Sequence, residues 1–480
     1  MFLEIDDYDA TALASLIKER ELSASELLED SIARCEALNP KLNAVITTMY
    51  DQAIERAKRI TSEGVFSGVP FLMKDFVAEI KGVPFNEGSD FLDGYVPEED
   101  SYIYQKFSSS GLITFGKTNL PEFAIGTTTE PKRFGPTLNP WNPKLTPGGS
   151  SGGAAAAVAS GIVPMAHAND VGGSIRIPAS CCGLVGLKPS RGRSSLGPYY
   201  GDIISGFLVE HAVTRSVRDS ATLLDVTSQN TIGDPYYAPK AQSSFTKQVG
   251  VKPKPLKIGF STVTPLGDPL DLECKRAVLE TVELLSSLGH ELVENAPEFN
   301  AMEFWERYTT VLASGVAWVV DDWSRRLGRD PSPDLIEPFV FAFAERGRKV
   351  TAPEYLLALQ DVQRGVRDFS QFFVDHDLTL TSTLGQPPVA LNTLTYRGDP
   401  FELRRRTAKF SPYTYLSNAT GQPAISLPLF WTEDNLPIGI HFTARYGDEA
   451  TLIQLASQLE EAIPWANRRP QIHAMHSIKD

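Results

Sequence analysis

The chain carries two glycine-rich loops that each present a serine: PGGSSGG at residues 147–153 and DVGGSIR at residues 170–176. Four alanines follow the first loop directly, and alanine is the strongest helix former, so a helix is predicted between the loops. Glycine lets the backbone turn sharply and approach a ligand closely. The segment therefore predicts a site made of backbone amides and two hydroxyl groups.

Two general interpretations of these loops fit poorly. A nucleotide-binding loop of the Walker type ends in Gly-Lys-Ser or Gly-Lys-Thr, whereas alanine follows Gly153. The pattern Gly148-x-Ser150-x-Gly152 matches the nucleophile elbow of α/β-hydrolases. However, residues 140–147 are rich in Pro, Asn and Lys and do not form the apolar strand that precedes such an elbow.

A lysine upstream of the loops ends an apolar run; taken alone it would be an ordinary surface lysine at a strand end, and it becomes a candidate base only together with the two serine loops. The apolar run Val69–Met73 predicts a buried strand that ends at Lys74. A lysine accepts a proton only when it is neutral, so its usual pKa near 10.4 must fall, and burial against an apolar wall lowers it. We expect Asp75 to point away from Lys74, because a facing carboxylate would raise the lysine pKa.

Taken together, these segments resemble the amidase signature family. The resemblance rests on both serine loops and on Gly-Leu-Lys-Pro at 186–189, and it covers most of the chain, with 260–375 least recognisable. It implies an α/β fold in which a large mixed twisted β-sheet is sandwiched between α-helices. It also implies hydrolysis of a carboxamide C–N bond without a metal or an organic cofactor.

The resemblance assigns a role to each candidate side chain. Ser174 would be the nucleophile, and Ser150 would pass its proton to Lys74. In the family the bridging serine follows a cis peptide bond, which here would join Gly149 to Ser150. The backbone N–H groups expected to bind the oxyanion are those of Val171, Gly172, Gly173 and Ser174. The side chains expected to support the loops are Ser151, Asp170 and Arg176, and the residues expected to contact substrate are Gly126 and Thr127.

Details of sequence point to a subgroup. The segments Ala166–Asp170 and Arg176–Ser180 are similar to the 6-aminohexanoate cyclic-dimer hydrolases, although Asn169 and the paired cysteines 181–182 depart from the commoner family pattern. The similarity implies a stand-alone hydrolase with an uncharged, partly apolar acyl pocket, lined by the helical region 300–375. Neutral linear or cyclic oligoamides, anilides and carbamates are the expected substrates.

Two alternatives stay open at this stage. The A subunit of a glutamine-dependent tRNA amidotransferase shares the same motifs. A cysteine-based enzyme of the nitrilase type would use Cys181 or Cys182 in place of a serine. We expect Cys182 instead to be a small buried packing residue.

Composition limits the partners. The formal net charge of −14 disfavours nucleic acid and anionic membranes, because phosphate binding needs clustered Lys and Arg. Four cysteines are too few for a disulfide framework in 480 residues, and no zinc-type spacing occurs. The start of the chain lacks the pattern of a signal peptide, so a cytoplasmic location is expected. The expected partner is a small amide, and a homodimer is compatible with the sequence.

The chain is expected to form one amidase domain over residues 1–480. Residues 1–60 would form N-terminal helices, 61–227 the catalytic core, 228–255 a surface connection, and 256–480 a second lobe. Ser23 with Glu26 and Thr351 with Glu354 predict capping boxes. Residues 112–115 predict a strand, residues 424–430 and 438–442 a hairpin, and residues 449–460 an amphipathic helix.

Overall fold

The computed structural model describes residues 5–60, 63–228 and 231–476. Within these ranges the α-helices are Ala10–Glu19 (α1), Ala24–Leu42 (α2), Tyr50–Arg59 (α3), Tyr102–Ser109 (α4), Gly152–Ala159 (α5), Arg176–Cys182 (α6), Val217–Thr227 (α7), Leu272–Ser287 (α8), Ala301–Leu327 (α9), Pro338–Arg348 (α10), Ala352–Asp375 (α11), Pro400–Phe410 (α12), Thr414–Thr420 (α13) and Glu449–Ala462 (α14). The β-strands are Val45–Thr48 (β1), Pro70–Lys74 (β2), Ile113–Thr118 (β3), Met165–Asp170 (β4), Val185–Lys188 (β5), Val209–Thr214 (β6), Lys257–Phe260 (β7), Glu291–Glu294 (β8), Leu378–Ser382 (β9), Ala424–Trp431 (β10) and Pro437–Ala444 (β11).

A large mixed sheet forms the centre of the molecule. Its eight strands lie in the order β4-β6-β5-β10-β11-β9-β7-β8. The pairs from β4 to β9 are antiparallel, whereas β7 pairs in parallel with both β9 and β8. The large mixed sheet that we expected is therefore confirmed.

Helices cover both faces of this sheet. One apolar cluster joins α5 and α6 to β4 and β6, and a second joins α7, α8 and α14 to β5, β10 and β11. Strand β10 shows why two clusters form, because successive side chains point to opposite faces. Ile425 and Leu427 belong to the second cluster, while Ser426 faces Gly439 and the Ser180 hydroxyl of α6.

A smaller sheet delivers Lys74 to the site. Its order is β1-β3-β2, with β2 parallel to β3 and β1 antiparallel to it. Every residue of β2 is buried, including Lys74 at its end. A strand this apolar is stable only when both faces are covered, and it therefore carries the lysine into the interior. The strands predicted around residues 69–73 and 112–115 are confirmed.

The other local predictions also hold. Both capping boxes form, with Ser23 and Thr351 accepting from the backbone N–H groups of Glu26 and Glu354. The predicted hairpin is the antiparallel pair β10–β11, and the last predicted helix is α14. Helices α9, α10 and α11 fill most of the region 300–375. Strands from both sides of residues 228–255 share one sheet. The division of the chain into two lobes stays a prediction.

Candidate active site

Lys74 and Ser150 meet inside the protein. The Nζ atom of Lys74 lies 2.7 Å from Ser150 Oγ, and the side chains are almost completely inaccessible to solvent. The peptide bond between Gly149 and Ser150 is cis, as predicted. Gly149 has no room for a side chain, because a Cβ would lie 2.5 Å from the Thr128 carbonyl oxygen. The local backbone thus holds the serine against the lysine.

Burial changes the acidity of Lys74. Removal from water lowers its pKa to about 7, although the carboxylates of Glu210, Asp170 and Glu87 act in the opposite direction. Asp75 pairs with a different lysine. Its Oδ1 atom lies 2.8 Å from Lys117 Nζ in a buried ion pair. The prediction that Asp75 points elsewhere is confirmed, and a substantial fraction of Lys74 is neutral near pH 7.

Strand β4 supplies two contacts to Lys74 that sequence reasoning missed. Asn169 Oδ1 accepts a hydrogen bond from Lys74 Nζ at 2.6 Å, and His167 Nδ1 accepts from the Lys74 backbone N–H at 3.2 Å. The other ring nitrogen of His167 lies 2.6 Å from the buried carboxylate of Glu210. Because residues two apart on a strand share a face, the alternation Ala-His-Ala-Asn before the second serine loop was a usable signal.

Ser174 lies at the wall of a cavity that Phe76 also lines, and the centre of the Phe76 ring lies 5.6 Å from Lys74 Nζ. Ser174 is half-buried in the turn between β4 and α6, and the cavity that it lines is open to solvent. Within the described residues, no side-chain hydrogen bond forms to Ser174 Oγ. The structure therefore joins Lys74 to Ser150 directly and brings Ser174 to the cavity, without a hydrogen bond between the two serines.

The loop around Ser174 is fixed by an ion pair. Asp170 and Arg176 are both buried, and their closest atoms lie 2.9 Å apart. Asp170 also accepts from the Gly173 backbone N–H at 2.7 Å and from the Ile175 N–H at 3.1 Å. Burial alone would raise the pKa of Asp170, but Arg176 outweighs it and holds the pKa well below its usual range. Asp170 is thus a fixed anion that orients the loop.

One expected oxyanion donor is already engaged. Since the Gly173 N–H donates to Asp170, it is not an open donor in this state. Gly173 has φ of +134°, and a Cβ there would meet Thr414 Oγ1 at 2.4 Å, so the position requires glycine. The backbone of Val171 and Gly172 lines the cavity with Ser174. The Ser151 hydroxyl donates to the Asn169 carbonyl at 3.4 Å, which ties the two loops together.

The remaining predicted residues fall in place around the cavity. Gly126 and Thr127 line it, and so do four residues of α9, which agrees with the expected role of region 300–375. The cavity is lined mainly by apolar groups: Phe76, Phe123, Ile125, Ile177, Ile204, Trp305, Leu312 and Val319. Arg404 of α12 also lines it, so the expectation of an uncharged pocket is wrong at that position.

The cysteines are poor nucleophiles here. Cys181 and Cys182 are fully buried in α6, and burial raises the pKa of both thiols. Because the thiolate is the reactive form, neither residue is suited to attack an amide. Cys182 is a buried packing residue, as expected, with its thiol directed at the Pro147 carbonyl oxygen.

Two further features concern metals and membranes. In the described part of the chain, no group of three or more His, Cys, Asp or Glu side chains is arranged to hold a metal ion. Over the same residues, none of the helices has the length and apolar character needed to traverse a bilayer.

Comparison with known proteins agrees with this geometry. The family model described as Amidase matches residues 26–453. The 6-aminohexanoate-cyclic-dimer hydrolase of Paenarthrobacter ureafaciens is 37% identical over 477 residues, which cover 97% of this chain and 96% of the relative. A solved structure of 6-aminohexanoate cyclic dimer hydrolase complexed with substrate is 36% identical, with a TM-score of 0.93 over 97% of this chain and 99% of the other. A bacterial aryl acylamidase of the amidase signature family is 27% identical, with a TM-score of 0.87 over 96% and 99% of the two chains. The chain therefore belongs to the amidase signature family and is an amide-cleaving hydrolase.

Proposed function

We propose that this chain hydrolyses carboxamide C–N bonds through an acyl-enzyme, with Ser174 as nucleophile, Ser150 as proton bridge and Lys74 as base. The observation that carries the proposal is the buried contact of 2.7 Å between Lys74 and Ser150, made by a lysine whose pKa is about 7. A general base is most effective when its pKa lies near the working pH.

The steps follow from the arrangement. As Ser174 Oγ attacks the carbonyl carbon, its proton passes to Ser150 Oγ, and the Ser150 proton passes to Lys74 Nζ. The resulting oxyanion is bound by the backbone N–H groups of Val171, Gly172 and Ser174, and by that of Gly173 if Asp170 releases it. The proton then returns through Ser150 to the amide nitrogen, the C–N bond breaks, and the amine leaves. Water then attacks the acyl-enzyme while its proton passes through Ser150 to Lys74. The carboxylic acid leaves, and Ser174 is free again.

Linear or cyclic oligoamides, anilides and carbamates are the proposed substrates. The names of two relatives support this class, one acting on the 6-aminohexanoate cyclic dimer and one on aryl acylamides. The apolar cavity wall supports it as well, because such substrates present methylene or aromatic groups. The buried free thiols of the chain agree with a reducing, cytoplasmic location.

The test uses the purified chain alone. We expect turnover of an anilide such as hexananilide and little hydrolysis of glutamine, whereas an amidotransferase A subunit would favour glutamine and depend on partner subunits. Ser174→Ala should reduce anilide turnover by about 10³-fold or more, as loss of a nucleophile does in other serine hydrolases. Anilide turnover by Ser174→Ala within tenfold of the wild type would overturn the proposal.

A further inference from the structure

Arg404 differs from the two arginines that follow it. Arg405 pairs with Asp268 at 2.6 Å, and Arg406 pairs with Glu402 on the same helix, also at 2.6 Å. Among the described residues, no carboxylate lies within ion-pair distance of Arg404. Its guanidinium makes one long hydrogen bond of 3.4 Å, to Thr407 Oγ1, and its Nε atom is buried with no partner in the described structure. Arg404 is thus a cation without a protein anion.

Arg404 lines the same cavity as Ser174. Of the described residues that line the cavity beside Ser174, Arg404 alone carries a charged side chain. Burial lowers the pKa of Arg404, but a guanidinium remains protonated in proteins. The side chain of Arg404 is partly buried, and in the described structure no protein anion pairs with it. A ligand with a negative charge would supply the missing partner on entering the cavity.

Other polar atoms around the cavity also have no protein partner. In the described structure, Thr127 Oγ1, Trp305 Nε1 and Tyr415 Oη are buried without a hydrogen bond, and all three residues line the cavity. The indole N–H can only donate, and the two hydroxyls can donate. All three atoms are covered from solvent, so a ligand in the cavity reaches them only if their side chains move.

Arg404 lines the same cavity as Ser174, and so do Tyr308 and Tyr415, whose rings lie 5.2 Å apart. The Tyr308 hydroxyl in turn donates to the Val171 carbonyl oxygen at 3.2 Å, on the loop that carries Ser174. One substrate molecule spanning the cavity would therefore contact both ends.

We propose that Arg404 binds a carboxylate of the substrate, so that the enzyme prefers acid-bearing amides to neutral amides of equal length. The inference rests on the proposed function of Ser174 and refines its substrate class. A guanidinium and a carboxylate form two parallel hydrogen bonds, which fixes the orientation of the bound molecule.

The test compares matched substrates. In the first pair, adipic acid mono-anilide is compared with hexananilide, which places the acid on the acyl side. In the second, N-hexanoyl-4-aminobutyrate is compared with N-hexanoyl-butylamine, which places it on the amine side. We expect wild type to prefer the acid by at least about tenfold in kcat/KM in one pair, the size of a hydrogen bond to a charged group. Arg404→Gln should lower that ratio by about tenfold or more.

Two controls make the result specific. Arg404→Lys should keep part of the preference, because lysine retains the charge but not the paired geometry. Arg406→Gln, which removes a surface charge paired with Glu402, should leave the ratio as in wild type. A ratio that is the same in wild type and Arg404→Gln would overturn the inference.

A measurement on the wild type alone guards against misfolded variants. Heptanoate should inhibit hexananilide hydrolysis competitively at a concentration at least about tenfold lower than heptanol. Equal inhibition by the two compounds, with no preference for either acid substrate, would overturn the inference. If Ser174→Ala is inactive while the Arg404 ratio is unchanged, only the carboxylate site fails. If Ser174→Ala stays active, the proposed function itself fails.

Discussion

Lys74 and Ser150 lie 76 residues apart in sequence and 2.7 Å apart in space, and neither side chain is accessible to water. The contact depends on a strand that buries its terminal lysine and on a glycine loop that presses a serine against it. Burial also changes the acidity of the lysine, because the exclusion of water around the two groups lowers the pKa of Lys74 to about 7.

Covalent labelling should identify Ser174. A fluorophosphonate probe is expected to modify Ser174 and to stop turnover, because it reacts with an activated serine at an accessible cavity wall. Mass spectrometry of peptides from labelled protein gives the site. Iodoacetamide should leave turnover unchanged, since Cys181 and Cys182 are buried thiols of raised pKa. Inactivation by iodoacetamide with resistance to the fluorophosphonate would restore the cysteine alternative.

The rate should depend on pH through Lys74. The neutral amine accepts the proton, so kcat/KM is expected to rise as pH increases through about 7 and to fall below it. Lys74→Met should remove most of the activity at every pH, because no base remains beside Ser150. The measurement is a pH profile of anilide hydrolysis from pH 5 to 10. A profile flat across pH 6 to 8 would contradict the role of Lys74.

Asn169 should set the position of that profile. Asn169→Asp would place a carboxylate where the amide oxygen now lies, 2.6 Å from Lys74 Nζ. A facing negative charge stabilises the protonated amine and raises its pKa. We expect the pH profile to move upward by at least about one unit, with about tenfold less activity at pH 7 and recovery near pH 9.

The control for this shift is Asn435→Asp, at an exposed turn between β10 and β11, which should leave the profile in place. If Asn169→Asp lowers activity equally at all pH values, the residue acts on structure and not on the lysine pKa.

The buried ion pair between Asp170 and Arg176, at the loop that carries Ser174, should contribute strongly to stability. Asp170→Asn leaves Arg176 buried without its counter-charge, which typically costs about 3–5 kcal/mol of unfolding free energy. Urea denaturation measures the change. Asp361→Asn, which breaks surface pairs with Arg307 and Arg364, should cost about 0–1 kcal/mol. Equal losses of unfolding free energy in the two variants would show that burial does not make the Asp170 pair more stabilising than a surface pair.

Local sequence was sufficient for most elements, and the family resemblance pointed to the three candidate catalytic residues. The apolar run before Lys74 predicts a buried strand, and the capping boxes at Ser23 and Thr351 mark helix starts through contacts three residues apart. The two serine loops are recognisable because their glycines are required by the backbone itself. In each case the physical cause lies within a few residues of the signal.

The surroundings of the reacting residues were less accessible to sequence reasoning. His167 contacts the Lys74 backbone and Glu210 contacts His167, and neither residue belongs to a recognisable sequence motif. The contact of Gly173 with Asp170 was also missed, because it depends on how tightly the turn closes. These interactions form between strands that are paired only in the folded sheet.

The sequence by itself determined most strands, helices and loops, because those depend on periodicity, capping and glycine, and its resemblance to the amidase signature family implied the reaction class. Only the tertiary structure decided the acidity of Lys74 and the chemistry of the cavity. The first depends on how completely water is excluded, and the second on Arg404, which comes from a helix about 230 residues after Ser174 in the chain. Neither complete burial nor a contact between segments far apart in the chain leaves a pattern in the local sequence.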